Sequence, residues 1–380
     1  MNRLSPIRLA GLALGLGALV AASLACGGGG VNKIGGVRSE LVATGNDTVT
    51  SIAFAPDGRL FFTEQTRGNV RIITPEGELL PEPFAHVESQ VGLESGLLGI
   101  AIDPEFEENH YVYIYYTEPA GPSPRANPKL ERFTDVENEG VDPEVLIEFP
   151  EANPEFPVHV GGGLHFGPDG YLYLSIGETE RKELSQDLSS PFGKIMRMTR
   201  DGEPAPDNPF VDRADADPRV YAYGLRNTFG FTFDPESGRL YGAENGPSTC
   251  DELNIIEAGG NYGWPASLSS GEKACENPGG IDPIYHFAQP GKEPPEINSN
   301  VAPTGIGFVS AEVYPSLGDG LLVCEFNTKL MRRLQLSGPD KDQVTDDSVV
   351  VEDCAVALAS DNNGVIYYSF GTEIRRLVPK

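Results

Sequence analysis

The sequence predicts an all-β protein folded as a six-bladed β-propeller, and three observations lead to that prediction. A unit made of an apolar strand, a turn rich in Pro, Asp and Gly, and an alternating strand recurs six times along the chain. Its copies are separated by roughly 45 to 80 residues, near or above the usual length of a propeller blade. Long amphipathic helical periodicity is almost absent, so the chain offers few candidates for helices.

The six copies differ in strength, and the fifth, whose first strand is predicted at Ala311–Pro315, is the weakest. In the turns Pro presets φ, Asp bonds to its own backbone, and Gly accepts a positive φ. A single sandwich is the rival fold, but its strands should be more evenly spaced. In chain order the copies are Ile52–Phe62, Ile100–Tyr113, Leu164–Tyr173, Phe231–Tyr241, Ala311–Val323 and Ala357–Tyr367.

The segments outside these copies have predictable places in such a fold. Ser39–Ala43 and Glu373–Val378 are strand-like, and we expect them to share one blade and close the ring. Three long insertions, Glu118–Asn127, Asp201–Pro218 and Gly271–Asn300, are rich in Pro, Asp, Asn and Gly. They are typical of surface loops, and loops on one face of a propeller build its site.

Composition limits the class of partner. The chain has 380 residues, of which 39% are hydrophobic, enough for one large β domain or two ordinary ones. The formal net charge is -28, and so acidic a chain repels nucleic acid and anionic membranes. A neutral substrate and bound cations suit it better.

The N-terminal segment is predicted to direct export. Arg3 and Arg8 precede an apolar run from Leu9 to Leu24, which is shorter than a comfortable membrane span. Cys26, followed by four glycines, resembles the lipidated residue of a bacterial lipoprotein, and simple secretion is the alternative. We therefore divide the chain into a signal peptide (1–25), a lipid-anchored flexible tether (26–38) and a propeller domain (39–380). The expected location is the cell surface or periplasm, with membrane contact only through the lipid.

Cysteine usage is consistent with export. Four cysteines remain besides Cys26, and an even number in an exported chain indicates disulfides. Four cysteines allow three pairings. The pairing closest along the chain is Cys250–Cys275 with Cys324–Cys354, and it is the one we predict.

The stretch Val220–Pro265 concentrates residues suited to ligand binding. It places Arg226-Asn227 between glycines, and adds a run from Glu244 to Pro247, an Asp-Glu pair and an Asn-Tyr-Gly-Trp motif. Gly lets backbone approach a ligand closely, and carbonyls with acids are the usual ligands of Ca²⁺. A turn-rich connection with solvated acids would have a similar composition.

This stretch resembles the signature region of the soluble PQQ-dependent glucose/aldose sugar dehydrogenases, the glucose/sorbosone dehydrogenase family. The resemblance covers nearly the whole chain from Glu40 to the C-terminus. It implies a six-bladed propeller that uses pyrroloquinoline quinone (PQQ) and Ca²⁺, with a small-molecule sugar as substrate and an unspecified electron acceptor.

The resemblance also implies roles for individual residues. His159 leads a glycine run into a strand, and imidazole suits the removal of a hydroxyl proton near neutral pH. The family has its general base at an equivalent position. Glu178 stands where the family usually has Asp to orient that base, and Glu94 matches a position that contacts substrate or base. The alternative for both acids is a solvated loop carboxylate, and for the imidazole a structural histidine.

The cofactor and metal residues are inferred in the same way. Arg226 and Asn227 match a pair that contacts the quinone, where Arg would stabilise developing oxygen charge. Asn245 stands where an amide that contacts cofactor or substrate is expected. The implied metal ligands are carbonyls of Gly246 and Pro247 at the Ca²⁺ next to the cofactor, and Glu252 and Tyr262 at a second Ca²⁺.

The sequence departs from the family at three basic positions that anchor the carboxylates of PQQ. Those positions hold Asn327, Cys354 and Val356. A tri-anion without cations is hard to bind in an acidic protein. Nearby candidates to replace them are Lys329, Arg332 and Arg333.

Three functions are therefore compared. The leading one is oxidation of an aldose at its anomeric carbon, with hydride transfer to PQQ and His159 as general base. The second is a non-enzymatic cell-surface propeller that binds a glycan or protein after loss of the anchoring cations. The third is a calcium-dependent lactonase, for which the sequence shows no clear pattern of acids and amides converging on the channel.

Overall fold

The computed structural model describes residues 32–90, 92, 94–119, 126–150, 152, 158–265, 275, 279–292 and 299–380. Within these ranges the chain forms six four-stranded antiparallel sheets, with one short α-helix (α1, Phe106–Asn109) and one 3₁₀ turn (Lys182–Gln186). The predicted all-β, six-bladed propeller is confirmed. None of the described helices is long and apolar enough to cross a membrane.

The strands of each blade run in order from the innermost to the outermost. Blade 1 comprises β2 (Val49–Phe54), β3 (Leu60–Glu64), β4 (Asn69–Ile73) and β5 (Ala85–His86). Blade 2 comprises β6 (Leu97–Ile102), β7 (Tyr111–Pro119), β8 (Ala126–Val136) and β9 (Glu139–Glu148). Blade 3 comprises β10 (Leu164–Phe166), β11 (Leu172–Ile176), β12 (Lys194–Met198) and β13 (Val220–Tyr223).

The remaining blades follow the same order. Blade 4 comprises β14 (Thr228–Phe233), β15 (Leu240–Glu244), β16 (Asp251–Ile256) and β17 (Tyr285–Phe287). Blade 5 comprises β18 (Pro303–Val309), β19 (Gly320–Glu325), β20 (Met331–Ser337) and β21 (Gln343–Val351). Blade 6 comprises β22 (Leu358–Ser360), β23 (Ile366–Phe370), β24 (Glu373–Pro379) and β1 (Val37–Thr44).

The two ends of the chain close the ring in blade 6. Strand β1 pairs antiparallel with β24, from Val37 opposite Pro379 to Thr44 opposite Glu373, as predicted. The tether prediction is wrong for residues 32–38, because Ile34 donates its N–H to the carbonyl of Val349 at 2.9 Å and packs against a core cluster. The signal peptide and Cys26 lie outside the described residues.

The predicted turn chemistry is present in the first and third copies. Gly58 and Gly170 have φ of +88° and +79°, a region that glycine enters without steric cost. Asp57 and Asp169 each accept a backbone N–H two residues further along through a side-chain oxygen. These short turns bring the first two strands of a blade into register.

Two segments differ from their predictions. The first strand of blade 5 is β18, not Ala311–Pro315, which forms turns. The reason is Tyr314, which is fully buried and donates its hydroxyl to the carbonyl of Leu377 at 3.0 Å. The apolar residues around it thus anchor a loop at Ala311–Pro315 and do not belong to a strand. The Gly271–Asn300 insertion contains β17, whose pairing with the edge of β16 completes blade 4. Asp201–Pro218 consists of turns, apart from a single bridge at Pro204.

The insertion at Glu118–Asn127 is also shorter than predicted. Strand β7 continues to Pro119, which pairs with Ala126 at the start of β8. This pairing shows that the described ends of the segment extend a hairpin of blade 2. Residues 120–125 lie outside the described residues.

The hydrophobic core lies between neighbouring blades, where aromatic and branched side chains of adjacent sheets interlock. The inner strands of adjacent blades contact one another around a central channel. At one end this channel widens into a cavity of about 770 Å³. Aromatic and aliphatic side chains line much of it, including Phe54, Ile102, Phe166, Phe233 and Phe308.

Both predicted disulfides form. Cys250–Cys275 and Cys324–Cys354 have Cα–Cα separations of 5.3 and 5.2 Å, which suit disulfide geometry. The second bridge is buried and joins the end of β19 to the segment that leads into β22.

Candidate functional site

The end of the channel opposite the 770 Å³ cavity is termed the mouth. It carries the loops that join the second and third strands of each blade and the loops that lead from one blade to the next. Those that matter below are residues 94–96, 158–163, 177–193, 224–227, 245–250, 326–330 and 352–357.

His159 lies at the mouth, with its side chain between an acid and a guanidinium. Nδ1 is 2.6 Å from Oε1 of Glu178, and Nε2 is 2.8 Å from Nη2 of Arg226. Because a guanidinium only donates, Nε2 must be the acceptor, and the proton of the neutral imidazole lies on Nδ1. His159 is 7% exposed, and its backbone φ is +53°, which is uncommon for a residue other than Gly. The ring is therefore held in one tautomer and one orientation.

Glu178 is positioned by the segment after β11. Its N–H donates to the carbonyl of Arg226 at 2.8 Å, and Gly177 precedes it. A Cβ at Gly177 would lie 2.1 Å from the carbonyl oxygen of His159, so only glycine fits there. The Glu178 side chain is 2% exposed, and among the described residues its Oε2 has no hydrogen-bond partner. The acid thus faces the imidazole with one oxygen left over.

Glu94 reaches the same point from blade 2. Its Oε2 accepts the backbone N–H of His159 at 2.7 Å and the Nδ2 group of Asn227 at 3.2 Å. Asn227 in turn accepts the N–H of Gly161 at 3.1 Å. Glu94 and Asn227 therefore fix the backbone around His159 and do not touch the ring nitrogens, whose hydrogen-bond partners are Glu178 and Arg226.

Arg226 extends across the mouth from the junction of blades 3 and 4. Nη1 donates to the carbonyls of Asn245 at 2.8 Å and Gly246 at 3.1 Å, while Nη2 donates to His159. The guanidinium lies 5.6 Å from the ring centroid of Trp264. Among the described residues it makes no ion pair with a carboxylate. Dipoles, the imidazole lone pair and an aromatic face contact the guanidinium directly, and Glu244 and Asp251 interact with its charge without an ion pair.

Glu244, at the end of β15, supports this junction. Its Oε1 accepts the N–H groups of Arg226 at 2.8 Å and Asn227 at 2.6 Å, and its other oxygen accepts the hydroxyl of Thr228. Burial raises the pKa of Glu244 even though these donors oppose the shift. Glu244 was assigned no role from the sequence. The sequence held a sign of its importance, since a glutamate ends the second strand of three blades. The other two are Glu64 in blade 1 and Glu325 in blade 5, and both are buried.

The carbonyls next to Arg226 belong to a tightly folded turn. The N–H of Gly246 donates to Asp251 at 2.8 Å, and a Cβ at Gly246 would lie 2.0 Å from the carbonyl oxygen of Thr249. Asp251 also accepts the N–H of Val301 at 2.5 Å and of Ala302 at 2.8 Å. Burial raises the pKa of Asp251 to about 6. A buried acid thus ties the Gly246 turn to the loop that leads into blade 5.

The chain that carries these groups is similar to named proteins in sequence and in structure. A family model described as Glucose / Sorbosone dehydrogenase matches residues 47–374. The chain belongs to the glucose/sorbosone dehydrogenase family. Aldose sugar dehydrogenase YliI of Escherichia coli (strain K12) is 28% identical over 335 residues, 83% of this chain and 84% of that protein. Membership of this family indicates an oxidoreductase that acts on a small-molecule sugar.

Solved structures agree with this family. A putative oxidoreductase (glucose dehydrogenase) from Thermus thermophilus is 32% identical with a TM-score of 0.77, over 90% of this chain and 100% of that one. The PQQ-bound form of an aldose sugar dehydrogenase from Streptomyces coelicolor is 26% identical with a TM-score of 0.71, over 90% of this chain and 98% of that one. The propeller is therefore the propeller of the glucose/sorbosone dehydrogenase family.

The three positions expected to be basic in this family lie at the mouth without a cation. Asn327 is exposed on the turn between β19 and β20, Cys354 is in the buried disulfide, and Val356 is buried. Lys329, on the same turn, is half-buried, with Nζ 3.8 Å from the ring centroid of Phe326. Burial lowers the pKa of Lys329, and no carboxylate of the described residues forms an ion pair with it.

The other two replacement candidates are wrong. Arg332 is buried and paired with Glu325 and, at 2.5 Å, with Asp347. Arg333 is also buried and donates to the carbonyl of Asp319 at 2.9 Å. Their partners come from neighbouring strands and from the loop before β19, so both guanidiniums serve the interior of blade 5.

The remaining predicted ligands have clear places in the fold. Asn245 donates through Nδ2 to the carbonyls of Asn227 and Pro303, both at 3.0 Å, and so joins blade 4 to blade 5. Pro247 is exposed beside Gly246. Glu252 is buried in β16, and the hydroxyl of Tyr262 donates to the carbonyl of Ile255 at 2.7 Å. The second calcium site formed by Glu252 and Tyr262 stays a prediction.

The donor set of the mouth can be compared with what PQQ requires. Arg226 and Lys329 are two cations free of carboxylate partners among the described residues, in a protein of net charge -28. Asp251 connects their loops, since it binds Gly246 on one side and Val301 on the other, and the N–H of Asn327 donates to the carbonyl of Val301. Two such cations suit the negative charge of an anionic quinone. The mouth thus offers cations at two points, whereas the family pattern implies three.

Proposed function

We propose that this protein is a PQQ- and Ca²⁺-dependent dehydrogenase that oxidises an aldose at its anomeric carbon. The observation that carries the proposal is the imidazole of His159, which has Glu178 on Nδ1 and the cation Arg226 at Nε2. General-base chemistry on a hydroxyl needs an oriented neutral imidazole, and this arrangement supplies it. The PQQ-bound structure of the Streptomyces coelicolor relative supports the choice of cofactor.

The residues of this chain would divide the work as follows. When bound, PQQ supplies the acceptor for the hydride. Arg226 would turn its Nη2 from His159 towards the negative charge of the cofactor, which would free Nε2 to take the hydroxyl proton of the sugar. Glu178 holds the imidazolium through Nδ1, and Glu94 holds the backbone on which the ring is carried. Asn227 and Asn245 keep the junction in place, and Lys329 neutralises part of the cofactor's charge.

The carbonyls of Gly246 and Pro247 would bind Ca²⁺ next to the cofactor. Carbonyl oxygens are suitable ligands for this hard cation, and the acidic protein favours its binding. With a metal there, Nη1 of Arg226 would no longer donate to Gly246, which agrees with the movement of the guanidinium proposed above. Glu252 and the carbonyl of Tyr262 are proposed for a second, structural Ca²⁺.

The location is part of the same proposal. The apolar N-terminal run and Cys26 favour export with a lipid anchor, and simple secretion is the alternative. The electron acceptor that such a dehydrogenase needs would then lie outside the cytoplasm, and the chain does not specify it.

Reconstitution tests the proposal. Protein loaded with PQQ and Ca²⁺ should melt at a higher temperature than the apo protein and should reduce a dye with at least one member of an aldose panel. His159→Ala should lower kcat by about 10² to 10⁴-fold, the range for loss of a general base, while the PQQ-dependent melting shift persists.

The matched control is His86→Ala, because His86 is an exposed imidazole on blade 1. It should behave as wild type. A fully active His159→Ala variant would show that the base has been misassigned, and an unchanged melting temperature in EDTA would contradict tightly bound Ca²⁺.

A second candidate function is a binding propeller that has lost PQQ. It is favoured by Cys354 and Val356, which leave the wall of the mouth next to blade 6 without cations. This candidate predicts neither a PQQ-dependent melting shift nor dye reduction with any aldose. A glycan or protein would then be the ligand.

A further inference from the structure

Nδ1 of His159 faces two carboxylates, although the sequence pattern called for one. Oε1 of Glu178 lies 2.6 Å away and Oε1 of Glu180 lies 3.3 Å away. The two acids differ in environment, because the side chain of Glu178 is 2% exposed and that of Glu180 is 46% exposed. Nδ1 thus hydrogen-bonds to a buried acid and lies within ion-pair distance of a half-exposed one.

The backbone that carries Glu180 adopts an unfavourable conformation. Thr179 and Glu180 have φ of +54° and +58°, in the left-handed region that side chains with a Cβ rarely enter, least of all a β-branched one. The turn is held by Thr179, whose N–H donates to the carbonyl of His159 at 3.1 Å, and by Arg181, whose N–H donates to that of Glu178 at 2.9 Å. This turn brings the Glu180 carboxylate back to the ring. Backbone strain of this kind is often retained where it serves a site.

The same three side chains could be thought to bind a metal ion, since their ligand atoms lie within 4.8 Å of one another. The contact at the other ring nitrogen argues against this. Arg226 donates to Nε2, so the proton lies on Nδ1, where a metal would have to bind. A protonated Nδ1 that hydrogen-bonds to Glu178 with Glu180 close by agrees with every contact of the ring.

We propose that Glu180 is a second positioning residue for His159, which stabilises the imidazolium formed during sugar oxidation. This inference rests on the proposed function. The hydroxyl proton of the sugar moves to Nε2, the C–H electron pair leaves as hydride to PQQ, and Nδ1 keeps its own proton throughout. Two carboxylates then oppose one positive ring. After the oxidised sugar departs, Nε2 releases its proton to water and the starting tautomer returns.

The charged groups around the ring decide the expected effect. Glu178 and Glu180 approach from the segment after β11, and Arg226 from the junction of blades 3 and 4. Glu94 contacts the backbone N–H of His159 and not its ring. Removal of the Glu180 charge leaves Arg226 opposed by Glu178 alone, so the imidazolium forms less readily.

The test compares Glu180→Gln with Glu183→Gln, an equal change of charge on an exposed acid three residues away. Glu180→Gln should lower kcat about tenfold and move the acidic limb of the pH–rate profile to lower pH, and Glu180→Asp should restore part of both. The double variant with Glu178→Gln should lose more than the product of the single effects, because each acid substitutes for the other. Equal profiles for Glu180→Gln and Glu183→Gln would overturn the proposal.

A second measurement separates this proposal from the proposed function. The ¹⁵N chemical shifts of the His159 ring, recorded over pH on histidine-labelled apo protein, report protonation without substrate or PQQ. In Glu180→Gln the titration curve should move to lower pH, and in Glu183→Gln it should not. If Zn²⁺ or Co²⁺ raised the melting temperature of the wild type but not of Glu180→Gln, the cluster would be a metal site and the proposal would be wrong.

Discussion

Two walls of the same mouth are built on different principles. The imidazole wall, residues 158–161, 177–180 and 224–227, consists of polar side chains that meet through hydrogen bonds, with three non-glycine residues in left-handed conformation. The disulfide wall, residues 324–329 and 352–356, has a buried covalent bridge, buried apolar side chains, a buried acid at Glu325 and one half-buried lysine. The first wall holds the proposed general base, and the second has no cation at the three positions where the family resemblance implies one.

One wall of the mouth can therefore lack the expected basic side chains and still have a well-packed structure. On the disulfide wall the hydroxyl of Thr304 donates to the carbonyls of Cys324 at 3.1 Å and Ala355 at 2.9 Å, so blade 5 and the segment entering blade 6 stay joined. On the imidazole wall the equivalent joining is done by Glu244 and Glu94. A disulfide therefore helps to hold the disulfide wall, whereas the imidazole wall is held by hydrogen bonds to the carboxylates of Glu244 and Glu94.

The largest expected effect comes from removal of the covalent link. Cys324→Ser with Cys354→Ser should lower the free energy of unfolding by about 2–4 kcal/mol, because the bridge closes a loop over a sequence separation of 30 residues. Chemical denaturation under oxidising conditions measures it. Cys250→Ser with Cys275→Ser removes a bridge with a similar separation of 25 residues, so this pair should lose a similar amount and calibrates the measurement. A wall that kept wild-type stability without its bridge would contradict the comparison.

A smaller effect should come from the buried acid of the disulfide wall. Burial raises the pKa of Glu325 from 4.5 to about 7, despite the neighbouring Arg332. The folded state therefore holds this proton more tightly than the unfolded state, so the stabilisation is complete below pH 4.5 and is lost as the pH rises from there to about 7. Lowering the pH from 8 to 6 should stabilise the wild type by about 1 kcal/mol relative to Glu325→Gln.

Denaturant titrations of both proteins at the two pH values measure this difference. Equal changes in the two proteins would show that Glu325 titrates in the folded state as it does in the unfolded chain.

The smallest effect concerns the missing cations. Asn327 is exposed at one of the positions expected to be basic, so Asn327→Lys adds a charge without disturbing the core. If the disulfide wall is where PQQ lacks anchors, the Kd for PQQ should fall by about two- to fivefold, as expected of an exposed ion pair. Titration of the apo protein with PQQ measures it, with Asn327→Gln as the matched uncharged control. Unchanged affinity in Asn327→Lys would place the cofactor's carboxylates elsewhere.

Sequence alone predicted the blades and the residues that meet at the mouth. His159, Glu178 and Arg226 were identified through the family resemblance of the motifs that contain them, and the structure brings their side chains within hydrogen-bond distance. The disulfides were predicted from proximity along the chain. The loop at Ala311–Pro315 was mistaken for a strand because Tyr314 bonds to a strand that lies 63 residues away in sequence.

What sequence could not predict depends on contacts between blades or on backbone conformation. Asp251 binds Val301 and Ala302, about 50 residues away, and no local pattern indicates that partnership. Glu180 points back to His159 only because Thr179 and Glu180 are left-handed, a conformation that neither residue type favours. Arg332 looked like a free cation because its partner Asp347 lies on the next strand.

The closure of the ring determines how this protein can be attached to anything else. Gly36 and Lys380 meet at the seam between blades 5 and 6, where the N–H of Lys380 donates to the carbonyl of Gly36 at 2.9 Å. Ile34 hydrogen-bonds to Val349 in the outermost strand of blade 5. A fusion partner, an affinity tag or a solid support joined at either side of that seam would therefore sit on the periphery. Diffusion of small molecules to the channel axis would remain open in every such arrangement.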